Sequence, residues 1–163
     1  MSDDWKGHLE VFGKLPGAIV LHRAAPDSRE VRSTVTSAFP FLTRLPEYLD
    51  FMAQIDLAGI NLDEDMDQES ADYYSFAFLP LEELVQRTDW RDDGFFRIAD
   101  SLERLGPGEQ GLANYEFAVA THGQDRLIYS QTVGAVRFAV ECEGFANLVR
   151  LAVARKGRFL REK

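Results

Sequence analysis

The side chains that most often do chemistry in proteins are few in this chain and lie far apart along it. The three histidines, His8, His22 and His122, show no His-x-x-x-His spacing, and the single cysteine, Cys142, lies in an apolar stretch. A structural zinc ion needs several thiolate or imidazole ligands at short spacing. We therefore expect no metal site on these residues, and we interpret Cys142 as a small buried thiol in preference to a nucleophile.

Serine and carboxylate catalysis are not indicated either. The Gly-x-Ser-x-Gly turn that exposes a serine nucleophile does not occur, and Ser70, Ser101 and Ser130 have polar neighbours. The adjacent carboxylates Asp92 and Asp93 have the right chemistry for acid–base work, but the sequence shows no pocket that would push their pKa values apart. We predict a protein without enzymatic activity.

One glycine-rich stretch, Gly106-Pro-Gly-Glu-Gln-Gly111, matches the Gly-x-Gly-x-x-Gly pattern of dinucleotide-binding loops. In those loops the pattern follows a strand and opens a helix, whose N–H groups hold the pyrophosphate. Here a predicted strand follows instead. We interpret this stretch as a loop and expect no cofactor.

A second pattern, Asp63-x-Asp65-x-Asp67-x-Glu69, resembles the first half of a calcium-binding loop. The sixth position is Gln68 where such a loop has glycine, and the twelfth is Tyr74 where it has a bidentate glutamate. We predict a solvated acidic loop without a calcium site; weak, adventitious cation binding stays open.

Negative charge is concentrated in one part of the chain. The net charge is −9, and between Arg44 and Arg87 there is no lysine or arginine. Acidic surfaces repel phosphate backbones and attract basic proteins over long range. The stretch contains eleven acids: Glu47, Asp50, Asp56, Asp63, Glu64, Asp65, Asp67, Glu69, Asp72, Glu82 and Glu83.

This charge predicts a basic protein partner and argues against nucleic acid as a ligand; the alternative is that it serves solubility alone. We predict that the partner-binding residues lie in loop 61–72, joined by two acids from a later turn. They are Asp63, Glu64, Asp65, Asp67, Glu69, Asp72, Asp92 and Asp93.

Apolar spacing predicts the elements that would carry these residues. Helices are expected over 3–14, from about 27 to Pro40, from about Pro46 to before Gly59 with Ile55 on its apolar stripe, over 81–85, and from Phe145. Strands are expected over 17–22, 74–78, 95–99, 115–120, 126–129 and 133–141, the last three forming an antiparallel meander. The fold class is α+β, with helices packed on a mainly antiparallel sheet.

Length and composition predict one domain in the cytoplasm. A chain of 163 residues with 45% apolar residues can bury one core. Its N-terminus lacks the pattern of a signal peptide, and no apolar run is long enough to span a membrane.

Four short segments resemble the SMI1/KNR4 (SUKH) superfamily, and they occur in its order. They are Leu45-Pro-Glu-Tyr-Leu-Asp-Phe-Met52, Phe78-Leu-Pro-Leu-Glu-Glu-Leu84, Phe95-Phe-Arg-Ile-Ala-Asp-Ser101 and Glu143-Gly-Phe-Ala-Asn-Leu148. The resemblance divides the chain into an N-terminal extension (1–44), a SUKH-like core (45–153) and a basic tail (154–163). It implies an α+β fold and, for most bacterial members, an immunity protein that binds and neutralises a toxin.

Three functions follow as hypotheses. The first is an immunity protein whose acidic surface masks a basic toxin such as a nuclease. The second is an intracellular regulatory or scaffold protein of the same fold. The third is an enzyme or small-ligand-binding protein, which predicts a closed pocket holding polar groups with shifted pKa values.

Overall fold

The computed structural model describes residues 5–23, 28–62, 73–87, 90–104, 112–133 and 138–159. Seven antiparallel strands form one sheet in sequence order, from β1 to β7. They are β1 Ala18–His22, β2 Ile55–Ile60, β3 Tyr74–Phe78, β4 Phe95–Arg104, β5 Leu112–Ala120, β6 Leu127–Thr132 and β7 Ala139–Glu143. The predicted α+β class is confirmed, and the meander continues through all seven strands.

Helices connect and cover these strands. They are α1 Trp5–Phe12, α2 Ser28–Ala38, a 3-10 helix Pro40–Arg44, α3 Pro46–Gln54, α4 Leu81–Leu84, α5 Trp90–Asp93 and α6 Phe145–Ala154. Among the residues that the structure describes, no helix is both long and apolar enough to cross a membrane.

The core lies between one face of the sheet and the helices α1, α3 and α6. Alternation along β3 turns Phe76 and Phe78 to this face, where the Phe78 ring lies 5.7 Å from Phe12 of α1, 5.3 Å from Phe51 of α3 and 5.6 Å from Phe145 of α6. All five rings are buried. Aromatic packing therefore holds the three helices on the sheet.

The prediction that the helix continues over residues 55–58 was wrong. Ile55 continues the apolar stripe of α3, but the chain leaves the helix there and forms β2, paired on both sides with β1 and β3. Pairing with two neighbouring strands outweighs the local helical pattern. Gly59 suits this crowded position, because a Cβ atom there would lie 2.5 Å from the carbonyl oxygen of Phe76.

Other boundaries differ from the predictions. The stretch after Pro40 is a 3-10 helix, β4 extends to Arg104, and a short helix, α5, occupies part of the predicted turn over 89–94. The predicted strand 133–141 begins only at Ala139 within the described residues. The glycine-rich stretch 106–111 lies outside them.

Candidate functional site

Most of the predicted partner-binding residues lie outside the described part of the chain. This applies to Asp63, Glu64, Asp65, Asp67, Glu69 and Asp72. Of the other two, only the backbone of Asp92 is described, in α5, whereas Asp93 is described in full at the end of that helix.

Asp93 is tied to the start of β4. One carboxylate oxygen accepts hydrogen bonds from the backbone N–H of Phe95 at 3.0 Å and from Arg97 at 3.1 Å, and the other lies 2.8 Å from Arg97 Nη2. Burial acts to raise the pKa of Asp93, but these hydrogen bonds and the charge of Arg97 lower it below its ordinary value. The carboxylate is 42% exposed and its charge is compensated by Arg97.

Of the described acids in the base-free stretch, three pair with arginines that lie outside it in sequence. Asp50 pairs with Arg32 of α2, and Asp56 lies 3.4 Å from Arg23. Glu47 pairs with an arginine just before β6, described below. Glu82 and Glu83 of α4, in contrast, are exposed. The described acids of this stretch are therefore not equivalent, because some hold elements of the fold together.

Glu47 joins α3 to the beginning of α6. Its Oε1 accepts a hydrogen bond of 2.6 Å from Arg126 and one of 3.0 Å from the backbone N–H of Phe145. Phe145 is the first residue of α6, and the preceding Gly144, with φ of 85°, offers no side-chain cap. Burial acts to raise the pKa of Glu47, but the hydrogen bonds and the charge of Arg126 lower it overall.

A row of polar side chains crosses the sheet on the face opposite the core. The strand register places Asp100 beside Glu116, and Glu116 beside Gln131. Glu116 accepts a hydrogen bond of 3.2 Å from Gln131 and lies 3.5 Å from Arg97. Burial, with smaller contributions from Glu83 and Glu116, raises the pKa of Asp100 to about 6.

Partly exposed aromatic rings lie beside this row. Phe95 stacks on Phe138 at 4.2 Å and meets the Tyr129 ring edge-on at 5.4 Å. The guanidinium of Arg97 lies 5.2 Å from the centre of the Phe138 ring. Aromatic residues with arginine are typical of the centre of protein interfaces, so this patch is a candidate contact surface next to Asp93.

A separate cleft of about 370 Å³ lies between α1 and β1. Trp5, Leu9 and Val20 give it an apolar wall, and Lys6 and Lys14 also line it. The groups with the largest pKa displacements, Tyr48, Cys142 and Asp100, do not line it. The cleft therefore differs from the closed pocket with shifted pKa values that the third hypothesis predicts.

Two possible nucleophiles, Cys142 and Ser130, lie among the described residues. The Cys142 thiol is half-buried, and burial with the nearby Glu141 raises its pKa to about 12. Ser130 lies 3.0 Å from the Tyr115 hydroxyl, whose pKa is raised mainly by burial. Within the described residues no three His, Cys, Asp or Glu side chains cluster as a metal site.

Comparison with protein-family models, with curated proteins and with solved structures finds no match to this chain. The resemblance to the SUKH superfamily therefore stays a prediction. Sequence reasoning missed the polar row, the aromatic patch and the cleft. The cleft alone had a local signal, since Trp5 and Leu9 share one helical stripe and Lys6, Glu10 and Lys14 share another.

Proposed function

We propose that this protein is a non-catalytic binding protein of the cytoplasm that neutralises a basic toxin, such as a nuclease, through an acidic surface. The surface centres on the acids of 63–72, with Glu82 and Glu83 of α4 added to the predicted set. The observation that carries the proposal is the division of the base-free stretch. Glu47, Asp50 and Asp56 are paired with arginines, whereas Glu82 and Glu83 are exposed.

Concentrated charge favours a basic partner for a kinetic reason. A patch of one sign raises the rate of encounter with an oppositely charged protein, and salt screens this effect over roughly 8 Å at physiological ionic strength. An ion pair as a whole contributes little to such steering, because its two charges nearly cancel at long range. Among the described acids, the exposed Glu82 and Glu83 would therefore affect the association rate more than the ion pairs of Glu47, Asp50 and Asp56.

The immunity role rests on the SUKH resemblance, and the contacts among its segments support that resemblance. Tyr48 and Phe51 of the first segment lie 5.0 Å and 4.9 Å from Phe145 of the last. Phe51 also lies 5.3 Å from Phe78 of the second segment. Three of the four segments thus meet in one core cluster, which leaves the surface to recognise the partner.

The test is co-purification and association kinetics with the product of the adjacent open reading frame. The variant Asp65→Lys with Asp67→Lys should slow association at low salt by roughly tenfold or more and flatten its salt dependence. The control is Glu30→Lys with Glu143→Lys, two exposed acids outside the stretch. It changes the net charge by the same amount and should leave the rate nearly unchanged.

Each outcome decides a different part of the proposal. Equal association rates for both double variants would reject the acidic surface. Absence of binding to the adjacent product, together with capture of a different intracellular protein that depends on Asp65 and Asp67, would favour the regulatory or scaffold function.

A further inference from the structure

The free edge of the sheet at β1 is chemically unprotected. Its sequence, Ala-Ile-Val-Leu-His, has no lysine, proline or acid, although these are the residues that usually protect an edge strand from pairing. Among the described strands, β1 pairs only with β2. Ile19 and Leu21 are 40% and 50% exposed.

The backbone of β1 also points hydrogen-bonding groups outward. The carbonyl of Gly17 accepts a hydrogen bond from Asn61 N–H at 3.0 Å, which fixes Gly17 as a bonded position of the β1–β2 ladder. Bonded positions alternate in an antiparallel pair, so the backbone N–H and C=O groups of Ile19 and Leu21 also point toward β2. The N–H and C=O of Val20 therefore face the open edge.

The cleft described above begins at the same residue. The side chain of Val20 forms part of its wall, opposite Trp5 and Leu9 of α1. Unpaired backbone at Val20 thus lies between a groove on one side of the sheet and exposed Ile19 and Leu21 on the other. An extended peptide satisfies all three features at once, because its alternate side chains point to opposite faces.

Two lysines define the charge of the peptide. The ammonium of Lys6 lies 5.7 Å from the centre of the Trp5 ring, at the cleft wall. Lys14 also lines the cleft, and neither lysine forms an ion pair with a described residue. Glu10 lies between them on α1, which leaves one net positive charge on this ridge.

We propose that the β1 edge binds an extended acidic peptide of a partner protein by strand addition, with apolar side chains in the α1–β1 cleft and carboxylates on Lys6 and Lys14. A second copy of this chain is disfavoured as the occupant. Two-fold pairing of β1 with itself would bring the Lys6–Glu10–Lys14 ridges together, and each chain carries a net charge of −9.

The probe is a blocked peptide of sequence Glu-Thr-Val-Thr-Val-Thr-Glu, in which alternation puts both glutamates and both valines on one face, with a control in which both glutamates are lysine. Binding is followed by amide chemical shifts of the full-length protein and by hydrogen exchange at Val20. Amide shifts at residues 18–22 and along α1, with slower exchange at Val20 N–H, are the expected result. The lysine peptide should bind roughly tenfold more weakly.

Two variants test the site. Lys6→Glu with Lys14→Glu should weaken binding of the acidic peptide by roughly tenfold, whereas Arg29→Glu with Arg150→Glu, an equal charge change at exposed positions, should not. Val20→Pro removes the outward N–H without removing a ladder bond and should abolish binding.

The opposite results overturn the proposal. One such result is that millimolar probe causes no amide shift, or shifts only residues outside β1 and α1. Another is that the acidic peptide binds equally well to the Lys6→Glu, Lys14→Glu double variant and to its arginine control. In the absence of peptide, hydrogen exchange at Val20 N–H could slow as the protein concentration rises. That result would show that the edge pairs with a second copy of the chain, and it would reject the peptide proposal.

Discussion

Glu47 offers the sharpest test of how this fold is held together. The side chain is 2% exposed, and its Oε1 accepts hydrogen bonds from the Arg126 guanidinium and from the backbone N–H of Phe145. Because Gly144 has no side chain to cap α6, this carboxylate performs the capping role from a distant helix. Substitution at Glu47 should therefore loosen α3, α6 and the start of β6 together.

The cost of Glu47→Ala can be estimated from its contacts. Leaving the Phe145 N–H buried without a partner costs about 1–2 kcal/mol. Losing a negative charge at a helix N-terminus costs about 0.5–1 kcal/mol. Losing the pair with Arg126, whose side chain is 43% exposed, adds up to about 1 kcal/mol. The expected loss is about 3 kcal/mol, and Glu47→Gln, which retains an acceptor, should cost about 1–2 kcal/mol.

Urea denaturation followed by tryptophan fluorescence measures these differences. Asp50→Ala is a matched control, since it removes a carboxylate–arginine pair from the same helix, but at a side chain that is 41% exposed. It should cost less than about 1 kcal/mol. A loss for Glu47→Ala no larger than that of Asp50→Ala would refute the capping role.

The same residue sets a pH dependence. The folded-state pKa of Glu47 is lowered, so its contribution to stability is complete above the pKa of the unfolded chain and is lost as the pH falls through the folded pKa. The difference in unfolding free energy between wild type and Glu47→Gln should therefore shrink between about pH 6 and about pH 3. A difference that stays constant over this range would contradict the assignment.

Three further predictions concern the core, the polar row and the thiol. Phe145→Ala should lower the free energy of unfolding by about 3–5 kcal/mol in urea denaturation, since its ring is fully buried against three others; a loss below about 1 kcal/mol would contradict the packing. Asp100 has a pKa raised to about 6, so Asp100→Asn should raise stability by about 1–2 kcal/mol at pH 8 and by much less near pH 4, the opposite trend to Glu47; a pH-independent effect would reject it. Cys142, with a pKa raised to about 12, should react with a disulfide reagent at pH 8 far more slowly in the folded than in the urea-unfolded protein; equal rates would place the thiol in an open site.

The sequence predicted elements whose pattern is complete within a few residues. Alternation of Tyr74, Phe76 and Phe78 predicts β3, and the spacing of Phe145 and Leu148 predicts α6; both are present. In these segments local propensity and burial favour the same structure. Predicted boundaries were wrong where local propensity and burial favour different structures. At Ile55 the local pattern favours helix, but pairing of β2 with β1 and β3 makes the residue the start of a strand.

Contacts between distant residues could not be predicted from one sequence. Glu47 is 79 positions from Arg126 and 98 from Phe145, so no local spacing reveals that this acid is buried and paired. The cleft could not be predicted for the same reason, because it forms only where the end of α1 approaches Val20 of β1. Its residues were visible as a helical stripe, but their meeting with a strand edge was not.

The pairing of acids with distant arginines changes how the net charge of the chain bears on recognition. Asp50 and Asp56 lie in the base-free stretch, yet in the fold they form ion pairs with Arg32 and Arg23, respectively. Because the two charges of each ion pair nearly cancel at long range, we expect a basic partner to depend weakly on these two pairs and strongly on the acids of 63–72. Removing both pairs, with Asp50→Asn, Arg32→Gln, Asp56→Asn and Arg23→Gln, should leave association rates nearly unchanged, whereas Asp65→Asn with Asp67→Asn should slow association. Equal slowing by the two sets of substitutions would mean that the localised acidic surface has to be abandoned.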